Sequence, residues 1–118
     1  MLFFYAISVL NTFGIAYLHV IEGETRGDRD YYGAVDYGAI RRAFKGTYIG
    51  NNGYTAELAS KRLSSGDTDL VAFGRSFLAN PDLVDRLRNG LNLNPPHQAT
   101  FYGGDHRGYT DYPAMADQ

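Results

Sequence analysis

At 118 residues and 13.1 kDa the chain has the length of one domain. With 44% hydrophobic and 20% charged residues it reads as globular, not disordered or fibrous. A net charge of −2 and a pI near 5.8 leave no basic surface for nucleic acid or anionic lipid. Cysteine is absent, which excludes disulfides, thiol nucleophiles and iron–sulfur clusters and suits a reducing compartment, so a cytoplasmic location is expected. The fourteen glycines predict many tight turns, as in an α/β chain with ligand loops.

The first element runs through a stretch, Met1 to Ile21, with no Asp, Glu, Lys or Arg. Its length imitates a membrane span, but Asn11, Thr12, Gly14 and His19 interrupt it and no basic flank or cleavage site frames it. Two buried elements in series are expected instead: a helix Leu2–Phe13, stopped at Gly14, and a strand Ile15–Ile21. A charged, glycine-bearing loop, Glu22–Val35, follows. Asp36 predicts an N-cap for a helix to Phe44, stopped by Gly46, with Arg41 and Arg42 on its polar face. A strand Thr47–Gly50 runs into Asn51-Asn52-Gly53, a turn that tolerates positive φ.

Thr55 then predicts the cap of a helix with Glu57 in its first turn and Ala56, Ala59 and Leu63 along it, closed by Ser64-Ser65-Gly66. A strand Leu70–Phe73 ends at Gly74-Arg75. Asn80-Pro81 opens a last helix with Leu83, Val84 and Leu87 facing inward, and Gly90 ends it. From Leu91 onward an ordered tail is expected, with Pro95-Pro96 and Gly103-Gly104. Strands separated by single helices imply a parallel sheet with right-handed crossovers. Three strands cannot close a barrel, so the chain is either a small open α/β domain or part of something larger.

Parallel sheets bind ligands at the C-terminal ends of their strands. The segment Ile49-Gly50-Asn51-Asn52-Gly53-Tyr54-Thr55 passes from strand to helix through a turn whose free N–H groups and helix dipole favour a phosphate. An ordinary strand-to-helix turn fits the same residues. Phe73-Gly74-Arg75 also follows a strand; Gly74 permits close approach, and Arg75 offers planar donors matched to phosphate oxygens or to a local Asp. Adjacent phosphate-competent loops on the last two strands are how (β/α)8 barrels commonly hold a phosphate. Phe101-Tyr102-Gly103-Gly104 either folds over a flat ligand or packs on its own domain. His19 is expected to be a hydrogen-bonded core residue, Glu22 and Glu24, placed where they could face a ligand mouth, to be solvated, Arg26–Arg29 to lie on the surface, and Asp67 and Asp69 to sit at the wrong end of the sheet for catalysis. No spacing of metal ligands, no nucleophile elbow and no Walker loop is present.

Ala16-Tyr17-Leu18-His19-Val20, the Ile49–Thr55 segment, and above all Val71-Ala72-Phe73-Gly74-Arg75-Ser76-Phe77-Leu78-Ala79-Asn80-Pro81-Asp82-Leu83-Val84 resemble the old yellow enzyme family. The tail Leu93-Asn94-Pro95-Pro96, Phe101-Tyr102-Gly103-Gly104 and Gly108-Tyr109-Thr110-Asp111-Tyr112-Pro113 is similar to its N-ethylmaleimide reductase branch. The resemblance implies an FMN-dependent, NAD(P)H-oxidising (β/α)8 barrel that reduces activated alkenes, quinones or nitro compounds. It implies that residues 1–118 are the C-terminal part of that barrel, strands six to eight with their helices and tail, N-terminally truncated relative to the family. Asn52 and Gly53 resemble the backbone donors to the FMN phosphate, with Asn52 where many members have Gly. Gly74 and Arg75 resemble the second phosphate loop, and Tyr102 the tail aromatic beside the flavin.

The family's substrate-binding His-Asn or His-His pair, its Tyr proton donor and its isoalloxazine contacts are not among these residues, so the phosphate end of the flavin site without its redox end is expected, with FMN binding weak or lost, and no catalytic residue is assigned. Alternatives are one half of a split barrel completed by an N-terminal partner chain, a self-associating chain, or a non-enzymatic phosphate-binding domain.

Overall fold

The structure, a computed structural model, describes residues 2–24, 29 and 35–117, in two units, Met1–Ala72 and Phe73–Gln118. In the first unit, α1 (Leu2–Leu10) tightens into a 3₁₀ turn over Asn11–Phe13 and ends at Gly14 with φ 61°. Asn11, read as an interruption, is a tie. Its side-chain amide donates to the Ala43 carbonyl at 2.8 Å and its oxygen accepts from Lys45 N–H at 3.0 Å. Strand β1 (Tyr17–Ile21) starts two residues later than expected. Helix α2 (Tyr37–Ala43) is capped by Asp36, whose carboxylate accepts the Ala39 N–H at 2.9 Å, a bond worth about 1 kcal/mol. Gly46 does not stop this helix. The chain turns extended already at Phe44, and a Cβ on Gly46 would lie 2.9 Å from the Phe44 ring.

Strand β2 (Thr47–Asn51) leads to α3 (Ala56–Ser65), capped by Thr55 and closed by Gly66 at φ 78°, and then to β3 (Leu70–Ala72). The sheet is parallel in the order β1-β2-β3, with Tyr17 opposite Thr47 and Asn51 opposite Ala72. Its two faces differ. Leu18, Val20 and Tyr48 turn toward a core formed with Phe4 and Ile7 of α1 and Tyr37, Ile40, Ala43 and Phe44 around α2. Tyr17, His19 and Ile21 point the other way and are exposed, as is Leu70. Helices on one face and apolar side chains standing bare on the other are what an arc of a (β/α)8 barrel presents. His19 is therefore not a core histidine: it sits on the uncovered face.

In the second unit, α4 (Arg75–Ala79) begins directly at Arg75, where the sequence suggested loop. Helix α5 (Leu83–Asn89) has Leu83 and Arg86 buried and ends at Gly90 with φ 63°. Val84, expected to face inward, is exposed, as is Leu63 on α3. Arg86, only 2% exposed, holds the tail. It donates to Asp82 at 2.7 Å, to the Asn92 carbonyl at 2.6 Å and to the Pro113 carbonyl at 3.1 Å. The buried Asn80 accepts the Asn94 N–H at 2.7 Å. The Met115 N–H and then Arg86 keep the Asp82 carboxyl below the usual carboxylate range. Among the described residues no helix is long and apolar enough to cross a membrane.

Candidate functional site

Strands β2 and β3 end level, Asn51 beside Ala72, so the chain leaves both at one edge of the sheet. After β2, Asn52 takes φ 95° and Gly53 φ 64°. Two consecutive left-handed residues are unfavourable unless something holds them, more so for Asn than for Gly. The Asn52 side-chain amide donates to the Glu22 carbonyl at 2.6 Å and the Glu24 carbonyl at 3.0 Å. Its N–H donates to Asn51 Oδ1 at 2.6 Å. An incoming anion would thus compete with the Asn51 side chain for that donor. Thr55 follows as the cap of α3, accepting Leu58 N–H at 3.2 Å.

In the second unit, Gly74 sits at the N-cap of α4 with no side chain to bond the first N–H groups, which have no acceptor inside a helix. A Cβ on Gly74 would meet nothing within 4 Å. Arg75 is exposed and forms no ion pair among the described residues. The Tyr102 ring is 93% exposed, with only an edge contact to Phe101, so it does not pack on its own unit. Gly103 and Gly104 follow at φ 86° and 95°. Each set taken by itself, the N–H groups of the left-handed turn in the first unit and the bare helix start with its guanidinium in the second, is of a kind that suits a phosphate. Among the described residues no group of His, Cys, Asp and Glu is placed to hold a metal.

What the sequence did not reveal is the burial of Glu22. Expected to be solvated, it is 6% exposed. Its carboxylate accepts from Tyr54 OH at 2.7 Å, Tyr48 OH at 3.1 Å and Arg29 Nη2 at 2.9 Å. Arg29, the described end of the run Arg26–Arg29, is likewise inward, stacked 3.9 Å over the Tyr54 ring. The rest of that run lies outside the described residues. Burial works against the Arg29 charge, but its hydrogen bonds to Glu22 and Tyr54 outweigh it and raise its pKa. Burial first, then the Glu22 charge, raises Tyr48 far above the ordinary tyrosine value. Burial and the bond to Glu22 push Tyr54 up to about 12, against the pull of Arg29. Glu24, by contrast, is exposed as expected. Asp69 is structural: it accepts Tyr48 N–H and Arg41, each at 2.8 Å.

The raised tyrosines set an alkaline limit. The folded state holds these protons more tightly than the unfolded chain, whose tyrosines ionise near pH 10 (about the model-peptide value). The stabilisation is therefore complete below about pH 10 and lost as pH rises toward about 12. In a tyrosinate absorbance titration, two of the ten tyrosines should ionise late and only as helical circular dichroism is lost. Ionisation of all ten in one step with the dichroism intact would contradict the burial of this cluster.

Comparison with known proteins identifies the surroundings of these loops. The chain is 42% identical over 113 residues to 12-oxophytodienoate reductase 2 of Arabidopsis thaliana, covering 94% of this chain and 30% of that protein. It is 42% identical over 112 residues to 12-oxophytodienoate reductase 7 of Oryza sativa subsp. japonica, covering 86% and 28%. Among solved structures, morphinone reductase superposes with a TM-score of 0.86 at 43% identity, covering 98% of this chain and 31% of that one. A second structure of that enzyme, in complex with tetrahydroNAD, gives 0.82 at 44% identity. The chain spans about a third of the length of the curated relatives it matches, and its three parallel strands with their helices form part of a TIM barrel. The profile of the NADH:flavin oxidoreductase / NADH oxidase family matches residues 5–94, and the chain belongs to that family, the old yellow enzymes.

Proposed function

We propose that these residues serve an FMN-dependent NAD(P)H oxidoreductase of the ene-reductase type, and that they supply its grip on the FMN phosphate. The observation that carries this is the left-handed pair Asn52 and Gly53 at the end of β2, opening onto α3 at the ligand edge of a parallel sheet. Backbone N–H groups at Asn52 and Gly53, the start of α4 at Gly74, and the guanidinium of Arg75, which has no ion pair among the described residues, would each offer donors to the phosphate. Tyr102 would lend its ring to the flavin. Bound FMN supplies hydride exchange between a nicotinamide and an electron-poor alkene, quinone or nitro compound. The protein's part in this region is to anchor and orient. Morphinone reductase, whose structure in complex with tetrahydroNAD superposes on this chain, supports the nicotinamide as the reductant.

Arg75→Ala tests the reading. One charge-assisted hydrogen bond to an anion is worth about 1.5–3 kcal/mol, so FMN affinity should fall roughly tenfold or more while riboflavin affinity stays put. Inorganic phosphate should compete with FMN on the unaltered chain. An Arg75→Ala chain that binds FMN as before would overturn the assignment.

A second reading is favoured by the bare edge and face of the sheet. Among the described residues β1 has a neighbour only in β2, and Tyr17 and Ile21 stand exposed. Further strands, on this polypeptide or on another, would cover them and complete the barrel around the cofactor.

A further inference from the structure

Glu22 lies at the end of β1 on the helix side of the sheet, in step with Leu18 and Val20 and away from the face that carries Tyr17, His19 and Ile21. It is thus behind the Asn51–Tyr54 turn rather than in front of it. A buried carboxylate is costly unless it is paired and fully hydrogen-bonded. Here its two oxygens take three donors, from Tyr48, Tyr54 and Arg29. Two of these partners lead back to the turn. Arg29 Nη2 holds Glu22 while Nη1 donates to the Asn52 carbonyl. Tyr54 is itself the residue after Gly53. Its hydroxyl crosses β2 only because position 50 is glycine: a Cβ there would sit 2.6 Å from that oxygen. The Glu22 main chain joins in, its N–H donating to the Asn51 carbonyl at 3.1 Å and its carbonyl accepting from Asn52 Nδ2. Asn52, the non-glycine residue at φ 95°, is gripped from both its carbonyl and its side chain.

We propose that Glu22 is a positioning residue: through Arg29 and Tyr54 it locks the Asn51–Tyr54 turn in the left-handed form that presents its N–H groups to an anion. The anion being the FMN phosphate rests on the reading in the preceding section. The locking of the turn does not. A carboxylate that merely stabilised the sheet would have no reason to share its guanidinium partner with the carbonyl of the one strained residue in the turn. The arrangement also accounts for the buried charge. Arg29 needs a fixed anion to hold it flat against Tyr54 and Gly53, where its side chain comes within 3.4 Å of the position a Gly53 Cβ would take.

The test is backbone amide exchange on the full chain, read by residue, for Glu22→Gln and separately Arg29→Met. Glu22→Gln keeps the shape and removes the charge; Arg29→Met keeps the carboxylate and removes the link to Asn52. The Asn52 amide, which donates to Asn51 Oδ1, should exchange about tenfold faster in both variants, the scale of one charge-assisted hydrogen bond. Amides of Leu18–Val20 and Tyr48–Gly50 should keep their protection. Unchanged exchange at Asn52 in Arg29→Met, or a uniform rise across both strands in either variant, would overturn the proposal and leave Glu22 a general stabiliser of the sheet. FMN and riboflavin titrations on the same proteins separate the two claims. If the unaltered chain fails to prefer FMN, the phosphate reading falls, and the exchange data still decide the role of Glu22.

Discussion

A polypeptide of these 118 residues, mixed with FMN, NADPH and an enone, should oxidise NADPH no faster than free FMN does. Hydride transfer requires the reacting atoms to be held about 3–3.5 Å apart, and such positioning accounts for about 7–11 kcal/mol of an enzymatic barrier. On the proposed reading, the groups these residues would offer to FMN are directed at its phosphate. Toward the ring they would offer Tyr102, which is 93% exposed and meets Phe101 edge-on. A cofactor tethered by one end through a phosphate keeps most of its rotational freedom, so its effective concentration against substrate rises little. Initial rates at saturating NADPH, with and without protein at equal FMN, give the comparison. Saturable turnover above the FMN background would mean that ring-positioning groups exist within these residues and that the division into a phosphate end and a redox end is wrong.

The same polypeptide should sediment as something heavier than its 13.1 kDa monomer at micromolar concentration. The sheet has two open edges, β1 and β3, among the described residues. Unpaired strand edges recruit other strands. Tyr17, Ile21 and Leu70 stand bare on one face, and Leu2, Phe3, Tyr5 and Phe13 are exposed along α1 and its final turn. Covering one such side chain is worth about 1.5–3 kcal/mol, so a handful outweighs the cost of joining two chains, about 4–15 kcal/mol. Replacing Tyr17 and Ile21 with Lys should shift the distribution back toward monomer. A sharp monomer with one cooperative unfolding transition would contradict the open-barrel account of this face.

What the sequence disclosed was whatever is decided within a few residues. Asp36 and Thr55 cap the helices they were expected to cap, because a capping side chain bonds an N–H three residues on. Gly66 and Gly90 end theirs for a similar local reason. The start of α4 escaped notice because its cap is Gly74, which has no side chain to signal it. His19 was misjudged because the residues of a strand do not say which of its faces is covered; that depends on what the neighbouring elements lay against it. On α5 the apolar Val84 turned outward and the charged Arg86 inward, since the Asp82 carboxylate, the Asn92 carbonyl and, from 27 residues away, the Pro113 carbonyl satisfy its guanidinium.

Glu22 shows the limit most clearly. Its partners Tyr48 and Tyr54 lie 26 and 32 residues away, and nothing near position 22 announces them. Gly50 within β2 is the one local signal: a glycine inside a strand marks a place where another group passes close. The left-handed turn after β2 was legible, because Asn-Asn-Gly states its backbone geometry in its own letters.

The central claim is that these residues grip FMN by its phosphate. Calorimetric titration of the full chain with FMN and, in parallel, with riboflavin measures that directly, since the two ligands differ only in the phosphate group. The account predicts that FMN binds at least about tenfold more tightly, as one or more charge-assisted hydrogen bonds would require. Equal affinity for the two, or no binding of FMN at all, would contradict it.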